Sequence, residues 1–305
     1  MTQSKSSLIK KRIVEAQWTD PMVLFRRLAV APAVLLTVIF FVLPIMRLAQ
    51  ISFFRNVAGG LMEPAASLEN YTAFLGDPYY LTTLGQTLLY GVIVSLLCLL
   101  LGFPLSYTMV RIQTRAKPLL LGIILYPLLT NALVLVFAWL VIFGYQGPIN
   151  KLLLFLVPSA EPLRIIGTPT AIIISMTHAG LPFMVLPLMA AISNIPVSLE
   201  DAAASLGASR AAIMTQIVIP LAMPGILGGC LIAFTSVLSG FLFPLYLGSN
   251  ATNILPLQIY EKVSEAANWP FGAAITFIVL LMTLILIGMG TLGKDLVARL
   301  ARSSD

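Results

Sequence analysis

Six stretches of the chain stay apolar for about twenty residues each, the length that carries an α-helix across roughly 30 Å of hydrocarbon at 1.5 Å per residue. They run from Leu28 to Met46, Thr87 to Val110, Leu119 to Gly144, Pro169 to Ile192, Gly225 to Gly248 and Ala273 to Leu292. Inside lipid every backbone N–H and C=O needs a partner within the protein, so runs of this length are helices. The pattern predicts an all-α integral membrane fold: a six-span domain over 28–292, a basic leader over 1–27 that lies as an interfacial helix, and a short tail over 293–305.

Composition agrees with lipid as the solvent. Hydrophobic residues make up 59% of the chain, charged residues 10%, and the mean hydropathy is +0.97. A soluble enzyme, a disordered chain and a disulfide scaffold are thereby excluded. The two cysteines, Cys98 and Cys230, fall inside apolar runs, where they read as small packing residues. The formal charge of +6 raises the question of nucleic acid, but the basic residues flank hydrophobic runs instead of lining a groove, so no nucleic-acid partner is expected.

The distribution of those cations sets an orientation. Lys5, Lys10, Lys11, Arg12, Arg26 and Arg27 in the leader, Arg111, Arg115 and Lys117 after the second span, Arg210 after the fourth, and Lys294, Arg299 and Arg302 in the tail all fall on one side. Only Arg47, Arg55, Lys151, Arg164 and Lys262 fall on the other. The positive-inside rule then places both termini in the cytoplasm, with the first span a retained anchor, not a cleaved signal. No Lys, Arg, Asp or Glu lies within any of the six runs. Proton- or sodium-coupled carriers and selective channels usually place ionisable groups at membrane depth, at a cost on the order of 3 kcal/mol each. Here only His178 is so placed, which directs attention to an energy source outside the membrane.

Between spans, residues 47–86 form a connector with turns at Gly59, Gly60, Pro64, Gly76 and Pro78, and two apolar patches, Lys151 to Val157 and Leu255 to Val263, are suited to lie flat on the membrane. The most structured polar segment is 193–224. Ser198 is placed to cap a short helix through Glu200, Asp201, Ala202, Ala203 and Ala204, closed at Gly207. Ser209 starts a second helix presenting Ile213, Met214 and Ile217 and ending at Pro220. Two capped helices at an angle make a plug, with alanines where another backbone would come close.

The run Asp201-Ala202-Ala203, then Gly207, then Ile217-Val218-Ile219-Pro220 resembles the EAA motif of permease subunits of binding-protein-dependent ABC importers, with Asp201 in place of the motif's glutamate and Ile219 in place of its leucine. Within that superfamily the chain resembles most the spermidine/putrescine-type group, through Gly144 to Asn150, Leu181-Pro182-Phe183 and Asn268-Trp269-Pro270-Phe271-Gly272. The resemblance implies a type I (MetI-like) permease fold. It also implies partners: a second permease subunit of different sequence, two cytoplasmic ATPases that bind ATP and Mg, and an extracytoplasmic solute-binding protein. The plug then acts as the coupling helix, with Ser198, Glu200, Asp201, Ala202, Ala203, Gly207, Ser209, Arg210, Ile217 and Pro220 as the ATPase-coupling set, and Glu200, Asp201 and Arg210 at its rim. No acidic residue accompanies Ser239, Gly240 and Leu245, where a polyamine-type member would carry one, so related amines, opines, phosphonates or amino-acid-like solutes stand beside polyamines as candidates.

Polar residues at depth give a candidate solute route: Tyr126, Asn131, Ser175, Thr177, His178, Thr235, Ser236 and Ser239, gated by Phe241 and Phe243. Interhelical packing is the competing reading for each of them. For His178, the Gly180-Pro182 sequence predicts a break that frees carbonyls nearby, and a single histidine makes no metal site. Gly225 and Gly229 fit G-x-x-x-G, a sign of close helix contact. Gly288, Gly290, Gly293 and Lys294 mimic a nucleotide loop, but they sit at the end of a lipid-spanning run and Asp295 replaces the magnesium-binding hydroxyl. The chain itself is therefore expected to be no enzyme and to carry no metal or cofactor. A stand-alone secondary carrier or channel is the alternative function.

Overall fold

The computed structural model describes residues 31–57, 61–249 and 252–302, with side chains omitted at 61 and 289–302. The leader over 1–27, the Gly59-Gly60 turn and the last residues of the tail lie outside the described residues. Among the described residues, six helices are long and apolar enough to cross a membrane. They are α1 (Ala31–Ile51), α3 (Pro78–Arg111), Ala132–Leu156, α7 (Pro169–Ser193), α9 (Arg210–Ser239) and the Trp269–Gly288 part of α12 (Trp269–Arg302). The shorter apolar helix α4 (Lys117–Leu129) precedes α5 (Ala132–Phe143) and α6 (Pro148–Leu156).

Where these helices begin follows local chemistry. Asp77 caps α3 by accepting from the Tyr79 amide at 2.9 Å, with Pro78 in the first turn, where its missing N–H costs nothing. Thr168 and Pro169 do the same for α7, and Asn268 accepts from Phe271 N at 3.1 Å to start α12. The connector adds elements that the apolar pattern does not reveal: a two-stranded antiparallel hairpin, β1 (Arg55–Val57) with β2 (Leu61–Glu63), paired Arg55 to Glu63, and helix α2 (Glu69–Gly76). Asn70 of α2 is buried and donates to Ser52 O and Phe54 O, both at 2.9 Å, which fixes the connector to the end of α1.

Two of the six expected spans are built differently. The third is not one helix: the chain leaves the helical region at Thr130 and Asn131, and the Asn131 side chain accepts from Leu133 N at 2.8 Å to restart α5. A polar residue amid apolar neighbours is here a helix cap, a role that no hydropathy window distinguishes from a solute contact. The fifth starts earlier than expected. The second plug helix does not stop at Pro220 but continues as α9, because a wide turn over Met214–Val218 shifts the hydrogen bonds to the pattern Ile219 N to Met214 O just ahead of the proline. It ends at Ser239, and after Gly240 the short α10 (Leu242–Leu247) takes over.

Helices α3, α7 and α9 pack together as the centre of the bundle, with Val94, Cys98, Ile172, Met184, Leu188 and Ala233 fully enclosed. Because lipid tails are as apolar as leucine, close approach through small residues drives such association. Gly225 and Gly229 of α9 supply it. A Cβ on Gly225 would meet Ala191 Cβ at 2.5 Å and Pro187 O at 2.8 Å, and one on Gly229 would meet Met184 Sδ at 2.6 Å. The partner of this glycine pair is thus α7 of the same chain. Helix α7 itself runs unbroken through Gly180, Pro182 and Pro187, so the expected interruption beside His178 is absent. A second core, Phe74, Leu255, Phe271 and Ile275, joins α2 and α12 to α11 (Leu255–Tyr260). That last helix was expected on the membrane surface, yet Leu255, Pro256, Leu257 and Gln258 are buried and Thr87 Oγ1 accepts from Leu255 N at 2.9 Å. By contrast α6 turns Leu152, Phe155 and Leu156 outward.

Candidate functional site

The plug is α8 (Val197–Ser205), a tight turn, and the first turns of α9. Gly207 has φ +85°, a left-handed conformation that side chains resist, and it closes α8 with the Ala208 N to Ala203 O and Gly207 N to Ala204 O bonds, both 3.0 Å. Ser209 then caps α9, its Oγ accepting from Ala212 N at 3.2 Å. Ser198 has no such role. The helix starts two residues earlier than such a cap requires, at Val197 after Pro196, and Ser198 lies exposed in its first turn.

The faces of the plug divide by chemistry. Ile213, Met214 and Val218 turn into the bundle, with Val218 fully buried, and Ile217 is half-buried. Asp201, Ala202, Gly207, Arg210 and Pro220 are exposed, and Ala203 is half-buried. Apolar side chains share the exposed face: Val197, Leu199 and Leu206, the last 89% exposed at the tip. Leu206 thus stands almost wholly uncovered at the apex of a loop held by a Schellman closure and a serine cap.

Glu200 departs from its expected place on the rim. It turns inward to the end of α3, where its Oε1 meets Arg111 Nη2 at 2.5 Å and its Oε2 accepts from the Tyr107 hydroxyl at 2.6 Å. The two charged side chains are only 19% and 12% exposed. The same Arg111 nitrogen donates to Ile195 O at 3.0 Å. Arg111 and Tyr107 are one helical turn apart on α3, but nothing in the local sequence points them at a glutamate 89 positions away.

The proposed route residues fall into separate groups. Met176, Gly180, Phe183, Ser236, Gly240 and Phe243 line a cavity of about 150 Å³ between α7 and α9, beside the break at Gly240. His178 lies elsewhere on α7, half-buried, with Nδ1 accepting from Trp139 Nε1 at 3.3 Å and the Tyr126 ring 5.5 Å away. Ser175 and Thr177 are buried and spend their hydroxyls on their own helix, at Ala171 O and Ile173 O, both 2.7 Å. Ser236, Ser239 and Thr235 likewise bond carbonyls of α9. Phe241 stacks on Tyr260 with centroids 4.9 Å apart. Sequence reasoning missed Trp139 and Tyr260, since an aromatic in an apolar run carries no sign of which neighbour it will meet.

At the end of the bundle away from the plug, a recess of about 470 Å³ is lined by Arg55, Glu69, Asp77, Tyr80, Lys262 and Asn268, among others. Lys262 Nζ stands 5.9 Å from the ring centres of both Tyr80 and Phe271. Among the described residues no cluster of His, Cys, Asp and Glu is arranged to hold a metal ion.

Residues 99–296 match the family of binding-protein-dependent transport system inner membrane components, a stretch that contains the plug and four of the spans. The chain belongs to this family. It is an ABC importer permease of the spermidine/putrescine type: it is 33% identical over 252 residues to the spermidine/putrescine transport system permease protein PotB of Escherichia coli (strain K12), across 81% of this chain and 91% of that protein. PotB of Haemophilus influenzae is 30% identical over 263 residues, across 86% and 92% of the two chains. The solved structure of a bacterial alginate ABC transporter, in complex with a periplasmic protein bound to an alginate pentasaccharide, superimposes with a TM-score of 0.69 at 18% identity, over 92% of this chain and 94% of that one. The MetNI methionine ABC transporter gives 0.51 at 18%, over 72% and 94%. At such identities the two structures speak for the fold alone: a type I importer permease.

Segments that carried the resemblance have physical work within this fold. Asn150 is buried and joins α6 to the following loop, donating to Leu163 O at 3.0 Å and accepting from Leu163 N at 2.7 Å. Phe183 lines the cavity, and Gly272 lets α12 pass Val263.

Proposed function

We propose that this permease works in the bacterial inner membrane with both termini in the cytoplasm, paired with a second permease subunit. In this reading it takes a small polar solute from an extracytoplasmic binding protein and draws its energy from two cytoplasmic ATPases, which bind ATP and Mg. The observation that carries the reading is the exposed apolar tip of the plug, Val197, Leu199 and Leu206, on a loop whose shape Gly207 and Ser209 hold fixed. Such a surface fits a groove on a soluble partner. From the docked plug, α9 continues helically from Arg210 through the wide turn at Met214–Val218 to Ser239, so a displacement at its first turn is carried along this helix toward the break at Gly240 and the cavity beside it. Glu200 belongs to the inner side of this device, and Asp201 and Arg210 to its rim.

Of the solute classes considered, amines are favoured. Relatives in two organisms are named for spermidine and putrescine. The recess with Lys262 and Asp77 lies at the end that would face the binding protein.

The test is uptake of labelled putrescine and spermidine into proteoliposomes holding the complete complex, with ATP inside and binding protein outside. Gly207→Asp is expected to leave the complex assembled and hydrolysing ATP while uptake falls about tenfold or more. Unimpaired uptake by this variant, or uphill uptake by the chain without any ATPase, refutes the coupling assignment. A non-amine retained by the copurified binding protein refutes the solute class alone.

A further inference from the structure

The three central helices reach the plug by different means. Helix α7 leads into it through the turn at residues 194–196, and α9 grows out of it. Helix α3 has no covalent route to it, since the chain leaves Arg111 for α4 and returns to the plug only after α7. Its end is fastened to α8 by the contact of Arg111 and Tyr107 with Glu200.

We propose that Arg111, Tyr107 and Glu200 form a strut through which the plug drives α3 together with α7 and α9, so that the whole central triad moves as one. The proposal rests on the coupling reading above and names the residues that extend it to the third helix. Four observations support it. Apart from half-buried Ala203, Glu200 is the one side chain of α8 that is not exposed. Both of its carboxylate oxygens are held, each by a different residue of α3, which fixes position as well as distance. Arg111 also donates to Ile195 O in the α7–α8 turn, so one guanidinium nitrogen holds both that turn and α8 itself. Finally, Arg111 Nε is buried without a hydrogen-bond partner. A charge pair withdrawn from water and incompletely satisfied is a poor source of net stability, and its best-attested use is to specify one arrangement over others.

The strut is tested in the reconstituted complex by measuring ATP hydrolysis and uptake together and taking their ratio, solute moved per ATP. Glu200→Gln keeps the size of the side chain and removes its charge; Arg111→Gln removes the other partner. Each is expected to lower the ratio about five- to tenfold while ATP hydrolysis on the partner subunits continues and a cysteine placed at Ala204 still cross-links to the ATPase. The exchanged pair, Arg111→Glu with Glu200→Arg, is expected to recover at least about half of the ratio. A purely structural role would lower hydrolysis and uptake in parallel with the amount of assembled complex and leave the ratio unchanged, and that result overturns the strut. So does a wild-type ratio in the single variants. If Gly207→Asp uncouples and the strut variants do not, only the strut fails; if Gly207→Asp also transports normally, the coupling reading itself has failed. Should the charge variants not assemble, Tyr107→Phe decides, with a two- to threefold lower ratio expected and an unchanged one overturning the proposal.

Discussion

Adding a single methyl group to Gly225 tests whether the seam between α7 and α9 is as close as it looks. The new Cβ would stand 2.5 Å from Ala191 Cβ and 2.8 Å from Pro187 O, where carbon contacts ordinarily rest at about 3.5–4.0 Å. One neighbour is backbone and the other a Cβ, so no rotamer relieves the overlap, and the helices must separate by about 1 Å. A gap of that size forfeits a quarter to a half of the dispersion energy of each contact it opens, and overpacking of this kind costs about 1–3 kcal/mol. The gain in helix propensity from Gly to Ala, about 1 kcal/mol in water, offsets part of it. Gly228 supplies the control three residues along, because a Cβ there meets nothing within 4 Å. Gly228→Ala is therefore expected to be neutral or slightly stabilising, and Gly225→Ala to fall below it by about 1–3 kcal/mol. Thermal unfolding of the purified chain in one detergent, read by tryptophan fluorescence, measures the difference, a gap of several degrees at roughly 2–4 °C per kcal/mol. Equal midpoints, or a higher one for Gly225→Ala, would refute the close approach.

Two further substitutions probe polar anchors. Asn150→Ala leaves Gly144 O, Leu163 O and Leu163 N without their side-chain partner, and is expected to cost about 2 kcal/mol or more and to speed proteolysis of the loop over 157–168; an unchanged cleavage rate would mean that the loop is held by other contacts. Trp139→Phe keeps an aromatic ring but removes the pyrrole part that donates to His178, so it should cost about 1 kcal/mol or more, as should His178→Leu, with the double variant losing less than the sum of the two. Full additivity would show that the two side chains do not act as a pair.

Much of this architecture is legible in the order of the residues because lipid is a simple judge. A run of apolar side chains with no charge leaves the backbone one solution, so the count of six long apolar helices and the uncharged interior follow directly, while the third run holds a break. Gly207 and Ser209 were readable for the same reason: left-handed closure and capping are local acts, settled within a few residues. The errors mark the limits of local reading. Asn131 and Pro220 carry ordinary signals, a polar residue at depth and a helix stop, yet one is a cap at a break and the other follows a wide turn that lets the helix continue.

What only the tertiary structure decided is which distant residues meet. Glu200 belongs by sequence to an exposed helix beside Asp201, and only folding brings Arg111 and Tyr107 across 89 and 93 positions to turn it inward. His178 receives Trp139, Phe241 receives Tyr260, and the glycine pair of α9 finds α7 and not another subunit by the same process. Helix formation in a membrane depends on hydrogen bonds within one segment, which its own composition dictates. Pairing depends on the shapes of surfaces far apart along the chain, and no window of the sequence contains both.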